Sequence, residues 1–143
     1  MKKPIKIALL GALLCAAALA IFLLTPRGGG DVSQVSIVPV ESGIYTEEDI
    51  RAAEDTVVRY FKKGFDGCAL KELRYAGDEA AEQFTGWEEQ YQADEVIVLL
   101  STFDVDASGG DGSLNPNYTY KNWGWVLGRN EGGEWKHLTY GYG

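Results

Sequence analysis

Apolar residues fall along this chain in three different patterns. The first is unbroken: Ile7 to Leu24 reads IALLGALLCAAALAIFLL, 18 residues without a charge. As a helix rising about 1.5 Å per residue it extends about 27 Å, close to the hydrocarbon thickness of a bilayer. It lacks the polar stripe that a surface helix of a globular protein carries. The second pattern has helical period. Ile50, Ala53, Val57, Val58 and Phe61 recur at spacings of three and four, which predicts an amphipathic helix over 47–63. Thr46 and Asp49 make a capping-box pair at its start, and Glu47, Glu48 and Asp49 suit the positive end of the helix dipole. Lys62 and Lys63 suit the other end, with Gly64 as the residue just beyond it.

The third pattern is strand-like. Glu95 to Val105 contains the continuous run Val96-Ile97-Val98-Leu99-Leu100, expected of a strand covered on both faces. Thr119 to Arg129 and Glu134 to Tyr142 are predicted strands joined by a tight turn at Asn130-Glu131-Gly132-Gly133. Cys68 to Tyr75 is a short strand. Asp78 is expected to cap a second helix with the apolar face Ala80, Ala81, Phe84, Trp87 and Tyr91, interrupted by Gly86. Val32 to Val40, broken by Pro39, could form a short edge strand. The order is helix, strand, helix, then antiparallel strands, which predicts an α+β domain with a three-to-four-stranded antiparallel sheet behind an N-terminal transmembrane helix. Val57, Phe61, Phe84, Val98, Leu100 and Trp125 are expected in the core.

Charge divides the chain at the same place as the apolar pattern. It carries 21 acidic and 13 basic residues, net −8, among 143. Lys2, Lys3, Lys6 and Arg27 flank the apolar run, and the residues from Asp31 onward carry 21 acidic against 9 basic, or −12. The basic front places the N-terminus inside and the domain outside the membrane. Residues 1–24 read as a cytoplasmic tip and signal anchor, 25–43 as a linker made flexible by Gly28-Gly29-Gly30, and 44–143 as the extracytoplasmic domain. Cleavage after Ala18-Leu19-Ala20 and lipidation at Cys15 are the other two fates. Cleavage would leave an apolar terminus, and Cys15 lies mid-run behind Leu14. An anchored Cys15 cannot pair with Cys68, which then reads as a small buried hydrophobe. The acidic domain argues against nucleic acid as a partner.

Three features could carry chemistry. Asp104, Asp106, Ser108 and Asp111 overlap the opening of a calcium loop, but Asn115 stands where a bidentate Glu would close it. A plain hairpin turn uses the same residue types, so weak calcium is the only cofactor in view. Tyr118, Tyr120, Trp123 and Trp125 place large rings on one strand. Strict alternation sends only one of the pairs Tyr118/Tyr120 and Trp123/Trp125 to the core, leaving the other for a sugar, a peptide or a covering partner. His137, the single His, shares parity with Trp135 and Thr139. In a cone-shaped fold it could be a general acid or base, although no triad, metal set or phosphate loop accompanies it.

The element order, with the segments FDVDASGGDGSLNPNYTYKNWGWVL, GCALKELRYAGD and EWKHLTYGYG, resembles small uncharacterised extracytoplasmic domains behind lipoprotein signals or anchors in Gram-positive bacteria. The resemblance covers residues 44–143. It implies an NTF2-like (cystatin-like) cone, in which a bent sheet wraps a long helix. The expectation for function is a non-catalytic binding or sensing domain, single-pass in the cell membrane through residues 7–24, contacting a cell-wall component or a membrane-protein partner. The alternative is an NTF2-like pocket enzyme acting on a small apolar ligand.

Overall fold

The computed structural model describes residues 28–83 and 86–142. The membrane segment 7–24, Cys15 and Phe84 lie outside the described residues. Within them no helix is long and apolar enough to cross a membrane.

The domain is α+β, with a five-stranded mixed sheet in the order β1-β2-β3-β4-β5. The strands are β1 (Ser36–Val38), β2 (Cys68–Tyr75), β3 (Glu95–Val105), β4 (Tyr118–Arg129) and β5 (Lys136–Gly141). β2 to β5 pair antiparallel, and β1 joins the free edge of β2 in parallel. The sheet is thus wider than expected. The segment 28–43, read as a linker, supplies the fifth strand, and its Val32, Val35 and Val40 pack against the core.

Helix α1 (Glu47–Gly64) lies across one face. Its capping box forms as the sequence implies: the Asp49 N–H donates to Thr46 Oγ1 at 3.1 Å, and the Thr46 N–H donates back to the Asp49 carboxylate. Asp49 also accepts Arg129 at 2.8 Å, and Arg129 pairs with Glu95 and stacks 4.3 Å over the Trp135 ring. The Trp135 indole N–H donates to the Asp49 carbonyl at 3.0 Å, so the N-terminal turn of α1 is tied to β4 and the start of β5. At the other end the helix runs through Gly64 rather than stopping before it. Its carbonyls meet the glycine run: the Gly30 N–H donates to the Phe61 and Lys62 oxygens at 3.2 and 3.1 Å, and the Gly29 N–H donates to the Asp66 carboxylate. The Phe61 carbonyl also accepts the Phe65 N–H at 3.1 Å, which closes the helix, and Gly30 supplies the Lys62 carbonyl, one of the last four of the helix, with a donor. A Cβ on Gly30 would fall 2.6 Å from the Phe61 oxygen and into its ring, so these glycines are there for close approach.

The second helix is two short pieces, α2 (Asp78–Gln83) and α3 (Trp87–Tyr91), separated at Gly86, whose φ is 103°. Asp78 does not act as the expected cap. Its carboxylate accepts hydrogen bonds from the Ser42 hydroxyl, the Gly43 N–H and the Tyr75 hydroxyl, joining the chain before α1 to the end of β2. Both pieces lie against β3 on the face opposite α1. That explains the unbroken apolar run: Ile97 and Leu99 join the cluster under α1, and Val96 and Val98 are buried on the other side. Of the expected core, Val57, Phe61, Val98 and Trp125 are buried, and Leu100 is half-buried.

Three register shifts bend the sheet, between Leu70 and Glu72, between Ser101 and Phe103, and between Val126 and Leu127. An extra residue on one strand breaks alternation locally and increases twist.

Candidate functional site

The middle shift decides where the aromatic residues go. Phe103 pairs with Tyr120 and Ser101 with Trp123, so β4 takes three steps where β3 takes two. Asn122 absorbs the extra step in the left-handed region, at φ 55°, which Asn tolerates better than most residues. Strict alternation predicts that one aromatic pair faces away from the core. Instead the bulge turns Tyr118, Tyr120, Trp123 and Trp125 to the same face, that of α1.

The rings form a continuous cluster there. Tyr118 and Tyr120 are 4.8 Å apart, Tyr120 and Trp123 5.2 Å, and Trp123 stacks on Tyr140 at 5.7 Å. Trp125 is fully buried and its indole N–H donates to Ser101 Oγ at 2.8 Å, so it is core rather than contact surface. Tyr120 is buried and its hydroxyl accepts the Asn115 N–H at 3.0 Å. Tyr118, Tyr140 and Tyr142 continue the cluster to the surface, at 46%, 45% and 56% exposure. Trp123 is buried, and its indole N–H has no partner among the described residues.

Beside this cluster lies a pocket of about 180 Å³, with Phe65, Trp123 and Tyr140 among its apolar walls and Asp66 and Asp111 among its polar ones. It is smaller than the usual small-molecule site, room for one ring or side chain of a larger ligand. Cys68 also borders it, and is buried. Burial pushes its thiol up to about 11, with Asp106, Asp111 and Asp66 opposing a thiolate as well, so it is no nucleophile at neutral pH.

His137 lies on the same face, stacked on Tyr60 at 4.0 Å and 5.8 Å from Trp125. Its Nε2 is buried without a partner among the described residues, and burial holds its pKa below the usual imidazole range. A general base gains its orientation from a neighbouring acceptor, and here the ring neighbours are aromatic.

The four loop residues do not converge. The Asp104 carboxylate accepts the Thr119 hydroxyl at 2.6 Å. Asp106 accepts the Ser108 N–H at 2.8 Å and its hydroxyl, and Asp111 accepts the Ser113 N–H at 2.9 Å and its hydroxyl. The Asp104 bond is a contact between neighbouring strands; the Asp106 and Asp111 bonds are local turns, and each of these two holds its own carboxylate pKa down. Among the described residues no three His, Cys, Asp or Glu side chains are grouped to hold a metal ion.

Sequence reasoning passed over Tyr60 and Asp66, which tertiary contacts alone bring to this face. It also passed over Glu54, which stands inside the apolar stripe of α1 and is buried. A charged residue between Ala53 and Val57 was the available signal. No protein-family model, curated protein or solved structure matches this chain.

Proposed function

We propose that this chain is a membrane-anchored, extracytoplasmic, non-catalytic binding or sensing domain, and that the aromatic face beyond α1 is its contact surface. The observation that carries the reading is the bulge at Asn122, which gathers four β4 aromatics on one face and continues them outward through Tyr140 and Tyr142. A protein that needed these rings only as core would bury them. Half-exposed rings beside the carboxylates of Asp66 and Asp111 suit a cell-wall glycopeptide or a membrane-protein partner. The enzyme alternative is less well supported, since His137 is enclosed by Tyr60, Trp125 and Tyr140. The three register shifts and the helix laid across the sheet support an NTF2-like cone as the finer description of the fold. The uncharged run 7–24 and its basic front support the anchor.

Tryptophan emission titrated with purified muropeptides tests the contact surface, because Trp123 lies at its centre. A photo-reactive side chain at position 140, compared with one at exposed position 48, tests for a protein partner in cells. Saturable emission change or a crosslink specific to position 140, lost in Tyr118→Ala/Tyr142→Ala with an unchanged melting temperature, is the expected result. No response to muropeptides together with equal crosslinking at 140 and 48 would reject the aromatic face. Release of the protein from membranes by carbonate would reject the anchor.

A further inference from the structure

Glu54 is 7% exposed and lies on the buried stripe of α1 with Ile50, Ala53, Val57 and Phe61. None of the described residues gives its carboxylate a hydrogen bond. Arg51, one turn earlier, is exposed and forms no ion pair with it; the ion pairs among the described residues belong to Arg129. A buried carboxylate without a partner is costly, and the cost falls when a cation or a donor arrives. Burial accordingly pushes Glu54 up to about 7 from its ordinary 4.5, with Asp55 adding repulsion and Arg51 opposing it.

Glu54 lines a groove of about 900 Å³ between α1 and the segment 37–47. Ile37, Val40 and Ile50 give it apolar walls, and Glu41 and Glu47 add acidic groups. Tyr45 also lines it, but its hydroxyl donates to the Val96 carbonyl at 2.8 Å and its pKa is pushed up to about 12, so it does not titrate near neutrality. Glu41, Glu47 and Arg51 share the groove with Glu54, and the charges that act on it are Asp55, which repels, and Arg51, which attracts.

We propose that this groove binds a primary ammonium group carried on an apolar stem, with Glu54 as its counter-ion. The stem runs along Ile37, Val40 and Ile50, and the ammonium replaces the hydration that the carboxylate has lost. A compact ammonium with a flexible four-carbon stem suits a single carboxylate at the side of an apolar groove. The −12 carried by the residues from Asp31 onward favours the approach of a cation. The ligand is a lysine side chain of a peptide or a free alkyl diamine, which present the same chemistry.

The test is a carboxyl ¹³C titration of Glu54 in the full-length protein from about pH 4 to about pH 9, with and without acetyl-Gly-Lys-Gly-amide. Glu54 should titrate near neutrality alone and about one pH unit lower at saturating peptide, since a paired cation favours the ionised form about tenfold. The norleucine analogue, which keeps the stem and lacks the charge, should leave the midpoint in place. Glu54→Gln should abolish saturable amide shifts along α1 and 37–47 while the remaining amide spectrum stays that of the folded protein. Cadaverine separates the two sources: a response to both probes assigns free amines as well, and a response to the peptide alone assigns a protein lysine. An unmoved midpoint at about 10 mM peptide, or equal shifts with the norleucine analogue or in Glu54→Gln, would overturn the proposal.

Discussion

Replacing Glu54 by Gln removes a charge from the apolar stripe of α1 while keeping the side chain's size, and the effect on stability should depend on pH. The carboxyl moves from an ordinary 4.5 to about 7 on folding. At about 1.4 kcal/mol per pH unit, that bounds the penalty for the ionised form at about 3.5 kcal/mol. The groove is open on one side, and screening by solvent there reduces the expectation to about 1.5 kcal/mol. The folded protein holds the Glu54 proton more tightly than the unfolded chain does. Below about pH 4.5 both states are protonated, and wild type and variant should melt together. Between about pH 4.5 and about pH 7 the unfolded chain releases its proton first, and wild type loses stability relative to the variant. Above about pH 7 the full difference is present. At about 4 °C per kcal/mol for a domain of this size, the variant should melt about 6 °C higher near pH 8 and equally near pH 4. Circular-dichroism melts across this range measure it. Two melting curves that run parallel from acid to alkaline pH would show that Glu54 carries no burial penalty, and the counter-ion argument would lose its physical basis.

Gly30→Ala should destabilise the protein by about 2 kcal/mol, read as a fall of about 8 °C in melting temperature, because the new methyl group enters the Phe61 ring. An unchanged melt would mean that residues 28–30 are not held against the end of α1. Millimolar calcium should leave the melting temperature unchanged, since Asp104, Asp106 and Asp111 already accept hydrogen bonds from Thr119, Ser108 and Ser113. A calcium-dependent rise lost in Asp106→Ala would return this loop to cation binding.

What the sequence made legible was periodicity. The stripe Ile50, Ala53, Val57, Phe61 and the run Val96 to Leu100 each belong to one element, and a single period describes each. The capping box at Thr46 and Asp49 was legible for the same reason, being local in the chain. The aromatic face was not. Counting parity along β4 gives the wrong side for half the rings, because one extra residue at Asn122 resets the alternation and leaves no trace in hydrophobicity. Gly28-Gly29-Gly30 reads as flexible by composition, yet its lack of side chains is what lets it reach the carbonyls of Phe61 and Lys62. Asp78 has the chemistry of a cap, but Ser42, Gly43 and Tyr75 compete for its carboxylate and win. In each case the deciding partner lies far along the chain.

In the proposed topology the two candidate sites would lie at different distances from the anchored end of the domain. Only Thr25, Pro26 and Arg27 separate the end of the apolar run at Leu24 from Gly28. Fully extended, three residues reach about 10 Å. Gly29 and Gly30 are fixed to Asp66 and to the last carbonyls of α1, and Asp66 shares its pocket with Trp123 and Tyr140. An anchor at 7–24 would therefore hold the aromatic face close to the headgroups, where tyrosine rings are favourable. The domain's −12 would keep it from adhering to an anionic leaflet through charge, leaving the rings as the means of contact. Glu54 sits ten residues before Gly64 on α1, about 15 Å further along its axis and away from the anchored end. A partner of the aromatic face must then itself reside at the membrane surface, as a neighbouring membrane protein or a lipid-linked glycopeptide does. In that topology the Glu54 groove would be open to molecules that diffuse outside the cell. The two sites should consequently respond to different perturbations: shortening Thr25–Arg27 should affect crosslinking at position 140 and leave the Glu54 titration unaltered.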